Sequence, residues 1–319
     1  MSTPRMAEAM SRLGTETAFE VLARARALEA QGRKVVHLEI GEPDFDTPRH
    51  VREAACRAID EGWTHYGPSP GLPEARKAVA EYVAKTRSIA VDPEEVVVMP
   101  GGKPVIFFSI LALAQPGDEV IYPDPGFPIY ESMIRFVGAK PVPIRIREEN
   151  GFNFDPKELS TLLSAKTRLL ILNSPANPTG GVLTKDMIED VVKSLRRFPE
   201  VTVLSDEIYS RILYEGEHHS IAAWPGMKER CIILDGFSKT YAMTGWRLGY
   251  AVAPRPLTAA MSRLATNCHS CPASFTQIAG IAALRGPQDG VDSMVAEFRK
   301  RRDVIVKGLN DLPGFSCKT

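Results

Sequence analysis

The sequence predicts an α/β fold: a mainly parallel sheet sandwiched by helices, with a smaller α+β domain that is incomplete here. Three observations predict it. Runs such as EEVVVMP, TRLLILNSP, VTVLSD and CIILDGF are apolar from end to end, and a strand without in–out alternation is covered on both faces. These runs alternate with stretches of helical spacing along most of the chain, the pattern of strand–helix–strand units. No repeat, low-complexity tract or long linker interrupts the alternation. A length of 319 residues suits about two domains.

Taken in order, TPRHVREAACRAIDEG reads as a helix with Thr47 as its cap, Pro48 in its first turn and Gly62 as its stop. LPEARKAVAEYVAKTR is a second amphipathic helix, and EEVVVMP a short β-branched strand. GGKPVIFFSILALA reads as a buried helix, DEVIYPD as a strand, PIYESMIRFVG as a helix and KPVPIRI as a strand. DPKELSTLL and TKDMIEDVVKSLRRF are helices on either side of the strand TRLLILNSP. VTVLSDEIY, CIILDGFSK and LGYAVAP are strands, and long helices fill most of 257–310. The large domain is placed at 46–285. The small domain takes 1–45 and the start of its second part, 286–319.

Bulk composition excludes several function classes. Lys+Arg and Asp+Glu both number 39, a balance that points to neither nucleic acid nor an anionic membrane. The most apolar window, PVIFFSILALAQPG, is 14 residues long, short of the roughly 20 that span a bilayer. The N-terminus has no secretory pattern, so the expected location is the cytoplasm. Five scattered cysteines make no disulfide framework, and the Cys268–Cys271 pair has no second ligand pair for zinc. His218 and His219 are adjacent, which is poor metal geometry, and read as a solvated loop.

Ligands of such sheets sit in the loops after the strands, and here each strand end carries a different chemical tool. Gly101 and Gly102 end one strand and open a helix, so their bare N–H groups form an anion site, with Lys103 adding charge. Two adjacent glycines alone also make an ordinary tight turn. Phe127, in DPGFPIY, offers an aromatic face to a flat ring. Asn177, in NSPANPTG, offers a donor and an acceptor. Asp206 ends a buried strand, which is costly unless a cation is held opposite it, and Tyr209 follows with a phenol. Lys239, beside Ser238, sits in an apolar setting that lowers an amine's pKa and makes it a nucleophile toward carbonyls. Arg247 is suited to fork onto a phosphate. A ligand with a phosphate, a flat cationic ring and an aldehyde answers to all of them: pyridoxal 5′-phosphate.

The segments VVHLEIGEPDFDTP, HYGPSPGLPEARKAVA, MPGGK, YPDPGFPIY, NSPANPTGG, SDEIYSRILY and FSKTYAMTGWRLGY carry a resemblance. From about residue 15 onward the chain resembles a class I/II aminotransferase of the fold-type I pyridoxal-phosphate family. It is most similar to the branch with many bacterial aspartate, alanine and aromatic aminotransferases. The resemblance implies ping-pong transfer of an amino group from an L-amino acid to a 2-oxo acid. By position it implies that Lys239 carries the cofactor as a Schiff base and moves the proton between Cα and C4′. Asp206 would pair with the pyridinium nitrogen, Asn177 and Tyr209 with the 3′ oxygen, and Phe127 would stack on the ring. Gly102, Lys103, Ser238 and Arg247 would hold the phosphate. Tyr66 would reach the neighbouring subunit's cofactor, which implies a homodimer with shared sites. Gly41 would lie against the substrate carboxylate.

The chain departs from the family pattern at Gly236, where many relatives have a serine. The family's substrate-carboxylate arginine falls beyond residue 319, and LPGFSCKT breaks off in mid-element. The expectation is therefore a piece of a longer chain; an alternative is that the chain in this form binds cofactor with little activity. The rival chemistry is a carbon–sulfur β-lyase using the same cofactor. A cofactor-binding sensor of the transcription-regulator type would need a DNA-binding segment, and none is read in this sequence.

Overall fold

A computed structural model describes residues 4–318. Its strands are β1 (Val96–Met99), β2 (Glu119–Asp124), β3 (Lys140–Arg145), β4 (Thr167–Asn173), β5 (Thr202–Asp206), β6 (Cys231–Gly236) and β7 (Gly249–Val252). They form one sheet in the order β1-β7-β6-β5-β4-β2-β3. The pairs β2–β3, β2–β4, β4–β5 and β5–β6 are parallel, and β7 is antiparallel to both β1 and β6. Two antiparallel contacts in succession give β1 the same direction as β6. The carboxyl ends of β1, β2, β4, β5 and β6 thus share one rim with the beginning of β7.

The helices are α1 (Ala18–Glu29), α2 (Arg49–Asp60), α3 (Pro73–Arg87), α4 (Lys103–Leu113), α5 (Ile129–Phe136), α6 (Pro156–Leu162), α7 (Lys185–Leu195), α8 (Arg255–Cys268), α9 (Ser274–Arg285) and α10 (Asp289–Asn310). The apolar strand runs explain how they are layered. Val96 and Val98 join one buried cluster with residues of α2, α3, α7 and α9, while Val97 and Met99 join another with residues of α4, α5 and α8. Successive strand residues point to opposite faces, so a strand flanked by helices on both sides must be apolar at every position. Burying one Val, Leu or Ile contributes about 1.5–3 kcal/mol, and most of these strands bury four or more residues.

Some local expectations change. Thr47 is not the cap of α2, whose N-cap position is Pro48. Its hydroxyl instead donates to the Ala242 carbonyl at 2.7 Å and accepts from Trp246 Nε1 at 3.0 Å. It ties the N-terminal third to the β6–β7 loop. His218 does not lie in a solvated loop: its side chain is 9% exposed and Nε2 lies 3.0 Å from Glu207 Oε2. α1 was not foreseen, and it buries only Ala25. Next to α10, Asp44 and Phe45 pack against Arg301 and Phe298, with an ion pair at 2.7 Å and an edge-on ring pair at 5.4 Å. The five cysteines are free, and among the described residues no helix is long and apolar enough to cross a membrane.

Candidate active site

Nearly all the strand-end residues singled out in the sequence arrive at this rim. Lys239 lies in the loop after β6. Its ammonium donates to the Gly41 carbonyl and stands 5.9 Å from the centroid of the Tyr209 ring. Burial holds its pKa below that of a free lysine, while Glu42 and Glu16 pull it back up. Gly41, Asn177, Tyr209 and Lys239 line one cavity of about 700 Å³. Burial also pushes the Tyr209 phenol up to about 12.

Asp206, the last residue of β5, is 5% exposed. One carboxylate oxygen accepts from the Tyr130 hydroxyl at 2.6 Å and the other from the Ile208 N–H at 3.3 Å. Among the described residues no cationic side chain pairs with it. Burial pushes its pKa up to about 6, against the pull of those hydrogen bonds. Tyr130, on α5, was not anticipated, although it stands one turn after Phe127, and the two rings meet edge to edge at 5.8 Å. Asn173, at the end of β4, was also missed. It accepts from the Asn177 N–H at 2.8 Å and donates to the Asp206 carbonyl at 3.1 Å, fixing the Asn177 loop to β5.

The candidate anion-binding end is built by close backbone approach. Gly101 has φ +96°, and a Cβ there would come within 2.6 Å of Arg247 Nη2. A side chain is thus excluded both by the left-handed backbone and by the guanidinium lying over it. Arg247 itself has φ 52°, and its Nη1 donates to the Thr244 carbonyl at 2.8 Å. Gly102 is the N-cap of α4, with no side chain capping it. Pro104 has no N–H and the Val105 N–H donates to the Gly102 carbonyl at 3.0 Å, so the N–H groups left for an anion are those of Gly102 and Lys103. Ser238 is half-buried in the same loop as Lys239. The departure at Gly236 also has a reason: it pairs with Gly249 across β6–β7, and a Cβ would meet Gly249 Cα at 2.9 Å.

Lys103 and Tyr66 behave differently from the others. The Lys103 ammonium is ion-paired with Glu16 at 2.5 Å and lies 5.6 Å from the Phe127 ring centroid. Tyr66 is 90% exposed within this chain and does not line the cavity that holds Lys239.

Behind the rim lies a second charged group that the sequence reading did not find. Arg87, at the end of α3, donates to Glu207 at 2.9 Å, to Asp235 at 2.6 Å and to Ser210 at 2.8 Å. Glu207 also accepts from Ser205 at 2.8 Å and Ser220 at 2.6 Å. Burial would raise the Glu207 carboxyl, but Arg87 and the hydrogen bonds prevail and hold it at about 2. For Asp235 burial outweighs Arg87, and its pKa is raised. The available signal was the second carboxylate in SDEIY, unexplained at the end of a buried strand.

A parallel-sheet rim with a half-buried lysine amine, a buried carboxyl and an open helix N-terminus is the site of an α/β protein suited to chemistry through an amine. Comparison with known proteins makes this specific. Residues 33–319 match the family model "Aminotransferase class I and II". The chain is 42% identical to an aspartate aminotransferase of Pyrococcus horikoshii over 304 residues, covering 94% of this chain and 75% of that protein. Its fold superposes on the crystal structure of the Rhizobium meliloti aspartate aminotransferase with a TM-score of 0.95 and 38% identity, covering 99% of this chain and 80% of that one. The aromatic aminotransferase of Pyrococcus horikoshii gives a TM-score of 0.83 at 41% identity, covering 85% and 74%. The chain belongs to the class I and II aminotransferase family and is an enzyme of amino-group transfer.

Proposed function

We propose that this chain uses pyridoxal 5′-phosphate to move an amino group from an L-amino acid to a 2-oxo acid by a ping-pong cycle. One observation carries the reading: Lys239, Tyr209 and Asn177 share one cavity, and Asp206, three residues before Tyr209, is buried with no cation opposite it among the described residues. The donor set fits the cofactor. A buried carboxyl lacking a cation suits a pyridinium nitrogen, the uncapped α4 with Arg247 suits a phosphate, and an amine of lowered pKa suits an aldehyde.

Bound there, the cofactor supplies an aldehyde carbon and an electron-withdrawing ring that takes up charge from the substrate's Cα. Asp206 would hold a proton on the ring nitrogen, its own charge restored by that partner. Asn177 and Tyr209 would hydrogen-bond the ring's 3′ oxygen. Phe127 would cover one face of the ring. Gly102, Ser238 and Arg247 would grip the phosphate, with Lys103 serving through its backbone N–H, since its ammonium is held by Glu16. The Lys239 amine, released when substrate takes its place, would carry the proton between Cα and C4′. Gly41 would border the substrate carboxylate. Exposure of Tyr66, Trp63 and Ile59 supports a homodimer in which Tyr66 reaches the partner's site. The contacts of Asp44 and Phe45 with α10 support a small domain built from 1–45 and 286–319 around a large domain of 46–285.

The test is spectroscopic. Protein purified with cofactor is expected to show an absorbance band near the visible edge that an amino-acid donor bleaches. Lys239→Ala is expected to lose the band and about 10³-fold or more of the turnover. A band that survives Lys239→Ala sinks the proposal.

A further inference from the structure

The loop that carries Lys239 and Arg247 adopts a backbone that its own residues disfavour. Ala242 has φ 50° and Arg247 φ 52°, left-handed conformations in which Cβ crowds the following carbonyl oxygen. Such residues persist where their surroundings over-determine them. Within the loop, the Met243 N–H donates to the Ser238 carbonyl and the Trp246 N–H to the Met243 carbonyl, both at 3.2 Å. These lie at the long end of the usual range. Further support comes from residues 41–47, laid along the loop. The Gly41 carbonyl accepts from the Lys239 ammonium, Glu42 accepts from the Thr244 hydroxyl at 2.6 Å, and Thr47 bridges Ala242 and Trp246. The Glu42–Thr244 bond is open to water, which can replace it, whereas Thr47 is 7% exposed. Thr47 thus acts at both left-handed positions, on Ala242 through its carbonyl and on Arg247 through the residue before it. Arg247 closes the short turn Thr244–Trp246, and its guanidinium lies over Gly101.

We propose that Thr47 is a positioning residue: by bridging Ala242 and Trp246 it holds Arg247 over the Gly101–Gly102 turn and so sets the strength of the phosphate grip. The inference rests on the cofactor reading and assigns a further residue to it. A hydroxyl suits the task because it serves both partners at once, giving its proton to the carbonyl and a lone pair to the indole N–H. A side chain of the same shape without the hydroxyl leaves both groups without that partner and frees the loop to relax from its left-handed conformations. A guanidinium displaced by about 1 Å loses the fork onto a phosphate, because the two hydrogen bonds of the fork must be made together. The Lys239 amine depends less on the bridge, being held at its own end by the Gly41 carbonyl.

The experiment titrates the full chain, freed of cofactor, by calorimetry with inorganic phosphate, with pyridoxal 5′-phosphate and with pyridoxal, which lacks the phosphate. Thr47→Val is expected to weaken the two phosphate ligands by about tenfold each and pyridoxal by less than about twofold. Thr47→Ser, which keeps the hydroxyl, is expected to restore all three affinities. Trp246→Phe keeps an aromatic ring and removes the N–H from a half-buried side chain. It is expected to weaken the two phosphate ligands by about threefold, so the inference stays decidable should Thr47→Val not fold. Equal losses for pyridoxal and its phosphate overturn the inference, as does unchanged phosphate binding in either folded variant, or a wild type that binds no phosphate. A wild type that binds inorganic phosphate but neither pyridoxal phosphate nor pyridoxal would count against the cofactor reading, while the phosphate titrations still decide this one.

Discussion

Two groups of buried charge stand side by side at the ends of β5 and β6. Around Arg87, each carboxylate oxygen of Glu207 and Asp235 accepts at least one hydrogen bond, and cation and anions touch. Around Asp206, one residue earlier in the chain than Glu207, the carboxyl has a tyrosine and a backbone N–H but no cation. The same burial therefore has opposite outcomes: Glu207 is held at about 2 and Asp206 is pushed up to about 6. A cluster closed upon itself has nothing to offer a ligand. One left short of a counter-charge stores a demand that a cationic ring can meet.

Breaking the closed cluster is expected to have the largest effect on stability. Arg87→Met strands two buried carboxylates, and denaturant unfolding should show a loss of about 3–5 kcal/mol. A loss below about 1 kcal/mol would mean that the cluster is not closed as described. The open carboxyl should respond in the other direction. Its folded pKa of about 6 lies above the ordinary 3.8, so the native state binds the proton more tightly than the unfolded chain does. Cofactor-free protein should lose stability as pH rises from about 4 to about 6, by at most about 3 kcal/mol. Asp206→Asn should flatten that slope and raise stability at neutral pH while weakening cofactor binding. A slope that persists in the variant would place the titration elsewhere. The smallest effect belongs to Tyr130→Phe. Removing this bond to the charged form should move the Asp206 titration above about 6 at a cost of about 1 kcal/mol, read from the pH dependence of unfolding.

Much of this architecture is legible in the sequence because strands buried on both faces leave no alternation to misread. Among the described residues, all seven strands and nine of the ten α-helices follow from apolar runs and helix punctuation. α1 escaped because only Ala25 of it is buried, so it carries little of the apolar periodicity that marks a core-facing helix. Candidate site residues proposed to act through chemical type, such as Lys239, Asp206 and Arg247, could be picked out at strand ends. Residues that act by holding them could not. Tyr130 and Asn173 look like ordinary helix and strand residues until the fold brings them against Asp206 and Asn177. Lys103 was recognised as a cation, but its partner Glu16 lies 87 positions away, and no local pattern links the two.

The reversal of β7 has a consequence for how this family of sites can change. Because β7 runs against its neighbours, a residue before it reaches the same rim as residues after β6. The loop between them, Phe237 to Leu248, therefore supplies both Lys239 and Arg247, the proposed contacts for opposite ends of one rigid small molecule. In the proposed reading that loop is a ruler for the cofactor's length. Substitutions along it are open to drift, but a single inserted or deleted residue would shift one grip against the other. Its residue count should be the most conservative property of the segment, more so than the identity of most residues in it.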